Sequence, residues 1–173
     1  RITYDVERTG VIEQRELPFV FGVLADLGGM NVAAMGPFAT RAFIELDRDR
    51  LDAVMAALKP KLAFRVPDRL AGVDAELGIA LEFSEMTDFD PLGVIRQVEP
   101  LRGLLEARQR LSDAEARRPR DEHDPVGRFE AETAAVDALI SAQLNEILHH
   151  PDFQRLESSW RGLAAFVEQT ETS

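Results

Sequence analysis

Apolar and polar residues alternate from Ile2 to Glu7, with Ile2, Tyr4 and Val6 on one face and Thr3, Asp5 and Glu7 on the other. That period of two predicts a half-buried strand suited to a sheet edge. Gly10 permits a turn before Val11. The run from Leu17 to Leu24 is almost unbroken in apolar character. It predicts a strand buried on both faces, with Pro18 near its start, where a missing N–H donor matters least. Asp26 to Pro37 holds Gly28, Gly29, Gly36 and Pro37 and predicts a loop, and Arg41–Leu46 predicts a short strand. Asp47 then offers an N-cap to a helix whose stripe is Leu51, Val54, Met55 and Leu58, ended by Pro60. Leu62, Phe64 and Val66 alternate, Pro67-Asp68 turns the chain, and Ala75 to Phe83 is the cleanest alternation in the sequence.

Further on, the period becomes helical. Asp88 or Asp90 caps a helix with Pro91 in its first turn, and Ile95, Val98, Leu101, Leu104 and Leu105 line one face. Pro100 kinks or restarts that helix. Residues 112–127 carry almost no apolar side chain and predict a linker, since such a segment buries too little surface to offset its ordering entropy. A helix beginning near Phe129 carries Val136, Leu139, Ile140, Ile147 and Leu148. His149-His150-Pro151 breaks it, and Asp152 begins a second helix with Phe153, Leu156, Trp160, Leu163 and Val167 on its stripe. The pattern therefore predicts an α+β fold: a small mixed sheet with packed helices, then a linker and a helical pair. Three segments follow, at 1–111, 112–127 and 128–173. Two helices alone bury too little surface to make a core, so the pair calls for something to pack on.

The 173 residues carry 20 basic and 31 acidic side chains, a net charge of −11. Residues 111–173 hold 6 basic and 13 acidic groups, so the last third is the more acidic part. This balance argues against nucleic acid or an anionic membrane as the main partner, because both require a basic surface. No apolar run approaches the roughly 20 residues of a membrane-spanning helix, so no membrane insertion is expected. With no cysteine, thiolate catalysis, disulfides and cysteine zinc sites are excluded. The chain opens on Arg1 with no signal-peptide pattern, and it reads as a segment of something longer.

Candidate chemistry is sparse. His149 and His150 are adjacent, so they do not share a helix face, and no third ligand is evident; a helix-end role is favoured. Gly28-Gly29 lacks the spacing and lysine of a phosphate loop and reads as a flexible turn. Glu82, Glu85, Asp88 and Asp90 lack calcium-loop spacing and sit where a helix N-terminus favours acid. Ser158-Ser159 has no histidine arranged as a base. No catalytic, cofactor or metal residue is expected, and the protein is not read as an enzyme.

Four segments carry a resemblance: Glu16–Val20 with Gly22-Val23-Leu24 and Asp26-Leu27; Phe43–Asp49; Leu62–Leu70; and Phe89-Asp90-Pro91 through Arg96-Gln97-Val98 to Leu111. In that order they resemble the small sheath subunit of the bacterial type VI secretion system (TssB, or VipA). Ile140–Gln154, continuing through Leu156 to Leu163, is similar to the start of the large sheath subunit (TssC, or VipB). The small-subunit pattern stops near Leu111, short of the family's C-terminal helical extension, so the simplest account is a fused small–large subunit whose leading segment this is. The resemblance implies a structural subunit of a cytoplasmic bacterial sheath that contracts around an inner tube protein. It implies partners in the large subunit (fused or separate), neighbouring protomers interlaced by strand exchange, and a ClpV-type AAA+ ATPase. The region that carries the ATPase handle in the family is shortened here. The expected interface residues are Ile2, Tyr4 and Val6 for strand exchange, and Ile95, Val98, Leu101, Leu105, Ile147, Phe153, Leu156 and Trp160 for contact between the two subunit types. The competing reading is a non-polymerising adaptor that docks one partner through the helical pair.

Overall fold

The computed structural model describes residues 2–8, 10–17, 20–31, 36–72, 74–117 and 126–170. The α+β class holds, with its strands in two separate antiparallel hairpins in place of one mixed sheet. The first hairpin pairs β1 (Ile2–Arg8) with β2 (Val11–Leu17), in a register that sets Tyr4 against Arg15 and Val6 against Glu13. Gly10, at φ 80°, supplies the left-handed backbone that such a tight turn requires. This hairpin is exposed: Val11 and Ile12 retain 61% and 70% of their surface.

Of the strand expected over Leu17–Leu24, the described part from Val20 onward does not form. Leu17 ends β2, Pro18 and Phe19 lie outside the described residues, and Val20 to Leu27 run without regular structure. The turn at Gly10 sets the register of β1 and β2, and no described strand lies beside the apolar run to complete a ladder. Arg41–Leu46 likewise forms no strand, for the same want of a partner.

Asp47 does cap: its carboxylate accepts the Arg50 N–H at 2.9 Å and opens the 3₁₀ turn Arg48–Arg50, which leads into α1 (Leu51–Leu58). Lys59 leaves α1 at φ 47°, with its N–H on the Met55 carbonyl at 2.8 Å. The second hairpin follows, β3 (Lys61–Pro67) on β4 (Glu76–Glu82). Leu62, Val66, Ile79 and Leu81 point inward and are buried. On the outer face Lys61 stands opposite Glu82, ammonium to carboxylate at 2.8 Å. The hydrogen bond from Lys61 holds the Glu82 carboxyl below the usual carboxylate range, against a smaller opposing effect of desolvation. A carboxyl depressed in this way supports the fold above its ordinary pKa, and that support is lost as the pH falls through the folded value. Replacing Lys61 with Met should return the Glu82 titration toward that of a free glutamate, as read from its side-chain carboxyl carbon by NMR. An unchanged midpoint would refute the pairing.

A 3₁₀ turn at Met86–Phe89 precedes α2 (Pro91–Gln97). Glu85 is the N-cap of this turn and Asp88 completes its capping box, accepting from the Ser84 and Glu85 N–H groups at 2.7 and 3.1 Å; Asp90 stands at the N-cap of α2 without a side-chain bond to the helix, its carboxylate facing Arg161 instead. Val98 is extended, and α3 (Glu99–Ala116) restarts with Pro100 in its first turn, as expected. Helix α3 runs five residues into the segment read as linker, because Ala and Glu there favour helix whatever their lack of apolar surface. A Gln109–Asp113 bond at 2.9 Å, one turn apart, adds to it. The predicted pair is present as α4 (Val126–Leu148) and α5 (Pro151–Thr170), with α4 starting before Phe129.

One hydrophobic core unites the second hairpin and all five helices. It runs from Met55, Leu62 and Phe83 through Val94 and Leu101 to Ile147, Phe153 and Trp160.

Candidate subunit interface

The expected interface residues fall into two groups. Ile95, Val98 and Leu101 of α2–α3, and Ile147, Phe153, Leu156 and Trp160 of α4–α5, are buried, with Leu105 half-buried against them. The structure brings these together inside the chain. The two short helices that called for a partner find it in the preceding part of the same chain. Tyr4 and Val6, by contrast, stand on the exposed first hairpin, Tyr4 at 45% exposure and Val6 half-buried; the Ile2 side chain lies outside the described set.

The junction between the two parts is built in layers. At its centre Phe83 and Phe89 stack at 4.2 Å, and Phe153 of α5 meets both edge-on at 6.2 and 5.9 Å. Trp160, further along α5, donates its indole N–H to the Leu27 carbonyl at 3.1 Å. That carbonyl belongs to a strap, Leu27–Asn31, held to the start of β3. Met30 N–H donates to Lys61 C=O at 2.8 Å, and Asn31 donates its side-chain amide to the Leu58 and Lys59 carbonyls, both at 2.9 Å. Gly29 sits at φ 56° where a Cβ would lie 2.5 Å from the Lys61 carbonyl oxygen. Gly28-Gly29, whose sequence reads as a flexible turn, is instead a pinned close approach.

On α4, Gln143 is fully buried. Its Oε1 accepts the Arg69 N–H at 2.8 Å and its Nε2 donates to the Pro67 carbonyl at 3.2 Å. Around the rim, Arg69 pairs with Glu146, Arg108 with Asp137, and Arg161 with both Glu157 and Asp90. The hydrogen bond to Asp137 raises the Arg108 pKa, and for Arg161 the bond to Glu157 does so against desolvation. Periodicity does not flag Gln143. The signal in the sequence is its place on the Ile140–Ile147 stripe, where a polar residue on an apolar face requires an explanation.

The other candidates serve local structure. His149 Nδ1 lies 2.9 Å from the Asn145 carbonyl, and His150 stacks on Phe64 at 4.0 Å, so both belong to the helix end. Ser159 bonds back to the Arg155 carbonyl. Glu85 accepts from the Thr87 hydroxyl at 2.7 Å. A shallow depression of about 460 Å³ at the start of α2 is lined by residues that include Thr87, Asp88, Asp90, Gly93 and Arg96. Among the described residues no three His, Asp or Glu side chains are grouped to hold a metal, and no helix is long and apolar enough to cross a membrane.

An apolar surface remains outside the core. Val20, Leu24 and Phe43 are 80%, 77% and 84% exposed, and Phe21, Val23 and Ile44 about half exposed. Phe21 meets Phe166 of α5 edge-on at 5.3 Å, which joins this surface to the end of the helical pair.

The same division appears among known proteins. TssB1 of Pseudomonas aeruginosa, a type VI secretion system sheath protein, is 43% identical over 113 residues, 65% of each chain. TssC1 of the same organism, also a type VI secretion system sheath protein, is 52% identical over 50 residues, which are 29% of this chain and 10% of TssC1. This chain thus spans less than two thirds of either relative. A solved structure described as the VipA-N2/VipB contracted sheath of type VI secretion system is similar at a TM-score of 0.54 and 31% identity, over 61% of this chain and 83% of that one. The family model described as EvpB/VC_A0108, tail sheath N-terminal domain, matches residues 130–173. Since the model described as type VI secretion system, VipA, VC_A0107 or Hcp2 matches residues 1–123, the chain belongs to the VipA family of the type VI secretion system, with the start of a tail sheath domain joined behind it.

Proposed function

We propose that this chain is a structural, non-catalytic component of a contractile type VI secretion sheath. Residues 1–111 act as the small-subunit part, 112–127 as the connection and 128–173 as the leading edge of the large-subunit part. One observation carries this reading: segments similar to two separate sheath proteins share a single core here, through Phe83, Phe89 and Leu101 on one side and Ile147, Phe153 and Trp160 on the other. Ile95, Val98, Leu101, Leu105, Ile147, Phe153, Leu156 and Trp160 then form the interface between small and large subunit. Carrying both parts on one chain makes that interface intramolecular, and short linkers give effective concentrations on the order of mM.

The exposed surfaces support assembly with further sheath protein. The apolar surface at Val20–Leu24, Phe43 and Ile44 is of the kind that monomers seldom leave uncovered. Within the described residues β1 pairs only with β2, so its other edge is open to a strand from a neighbour. The sheath reading places the assembly in the bacterial cytoplasm, around an inner tube protein and in reach of a ClpV-type ATPase.

Negative-stain electron microscopy of the full-length gene product that contains this chain tests the reading. Hollow tubes or stacked rings are expected, and a version lacking residues 1–17 should give neither while retaining its helix content. Tubes that persist without the hairpin would remove strand exchange at β1 as the link. Small uniform particles from both samples would overturn the sheath reading itself.

A further inference from the structure

Gln143 is the one buried polar or charged side chain among the described residues, and both of its amide functions are spent on backbone from the other part of the chain. The receiving loop is shaped without it. Asp68 Oδ1 accepts the Leu70 and Ala71 N–H groups at 2.8 and 3.0 Å, and Asp68 N–H donates to the Ala75 carbonyl at 2.8 Å. This fold of the loop after β3 presents the Pro67 carbonyl and the Arg69 N–H side by side. A carboxamide matches that pair with one acceptor and one donor. A glutamate lacks the donor, and a leucine satisfies neither group. One turn along α4, Glu146 takes the Arg69 guanidinium at 2.9 and 2.6 Å. A slide of α4 by a turn would break both interactions together, whereas the apolar stripe around them would tolerate it.

We propose that Gln143, with Glu146 beside it, sets the register and partner choice of the helix of the large-subunit part on the 67–71 loop of the small-subunit part. The proposal rests on the sheath reading above. Gln143 reads the shape of the loop, and Glu146 reads the residue at position 69. In this role Gln143 is a positioning residue, and the partner it selects is a small-subunit-type loop folded by an aspartate at position 68.

The test uses the whole chain with a protease site inserted between Arg117 and Val126, cut after folding. Exchange of the second piece against an isotope-labelled competitor is followed by native mass spectrometry. Gln143→Leu should speed exchange about 30-fold, since two part-buried backbone groups lose their partners. R69E and E146R should each speed it a few-fold, as half-exposed pairs do. The R69E/E146R double variant should exchange slowly again and sort away from the parent pieces in a mixture. Exchange of Gln143→Leu within threefold of the parent, or random mixing of the charge-swapped pieces, overturns the proposal. If Gln143→Leu loses its helical signal before cutting, Gln143→Glu, which keeps an acceptor for the Arg69 N–H and lacks the donor to the Pro67 carbonyl, is read in its place against the same threefold bound. Sorting without tubes in the microscope would sink the sheath reading and leave the pairing rule standing, and tubes without sorting would do the reverse.

Discussion

Replacing Trp160 with alanine is expected to lower the stability of the chain by about 3–5 kcal/mol, the range for deleting a large buried aromatic side chain. Trp160 is fully buried and sits where α5, the Leu27–Asn31 strap and the second hairpin meet. Two costs add. The first is the apolar packing of the indole, together with the cavity that its removal leaves. The second is the Leu27 carbonyl, which is deprived of its donor, at about 1 kcal/mol for an ordinary hydrogen bond and more if the group stays buried. Against a typical total of about 5–15 kcal/mol, the loss is a large fraction of the stability. Trp160→Phe separates the two costs, since phenylalanine keeps much of the packing and none of the hydrogen bond. The measurement is urea denaturation followed by circular dichroism, because the substitution removes the only tryptophan and with it the fluorescence probe. A loss below about 1.5 kcal/mol for the alanine variant would mean that α5 is not anchored at this point. It would also weaken the claim that one core spans both parts.

The elements that sequence periodicity reveals are those whose signal is local. Asp47 announces the 3₁₀ turn and α1, Pro91 and Pro100 mark the two starts of α2 and α3, and the alternation from Ala75 to Phe83 gives β4. Val20–Leu24 and Arg41–Leu46 carry apolar patterns of their own and form no strand. The difference is pairing: a helix closes its own hydrogen bonds, but a strand depends on a second strand that the local pattern does not supply. The end of α3 is hidden for a related reason, since composition poor in apolar residues reads as linker where good helix formers carry the helix on to Ala116. Of the candidate interface, the stripes on α2–α3 and α4–α5 are legible as apolar faces, yet periodicity cannot say that they face each other. Gln143 and the Leu27–Asn31 strap escape a linear reading because their meaning lies in distant backbone, at Pro67, Arg69 and Lys61. The family is legible through longer motifs such as Phe43–Asp49 and Ile140–Gln154, which specify a lineage even where they do not specify a strand.

At Gly93, within an ordinary helix, one methyl group should do considerable harm. In a helix interior, glycine to alanine ordinarily stabilises by about 0.5–1 kcal/mol, because alanine loses less backbone entropy on folding. At Gly93 the added Cβ would lie 2.5 Å from the Thr87 carbonyl oxygen and 2.6 and 2.7 Å from the Cα and carbonyl oxygen of Asp88. All three are backbone atoms of the turn that Asp88 itself braces through Ser84 and Glu85. No side-chain rotation relieves the clash, so either α2 shifts away or the turn opens. Either movement disturbs Phe89, Val94 and Ile95, which are buried in the common core. Overpacking of this kind costs about 1–3 kcal/mol and occasionally more. With three rigid neighbours the upper end is expected, a net loss of about 3 kcal/mol that reverses the propensity gain. Gly103 in α3 is the internal control, since its Cβ would meet nothing within 4 Å. Gly103→Ala should raise stability by about 0.5–1 kcal/mol in the same denaturation experiment. Opposite signs at the two positions would establish that α2 is seated against the Met86–Phe89 turn as described. A stabilising Gly93→Ala would instead place α2 farther from that turn, and with it the packing that holds Phe89 beneath Phe153.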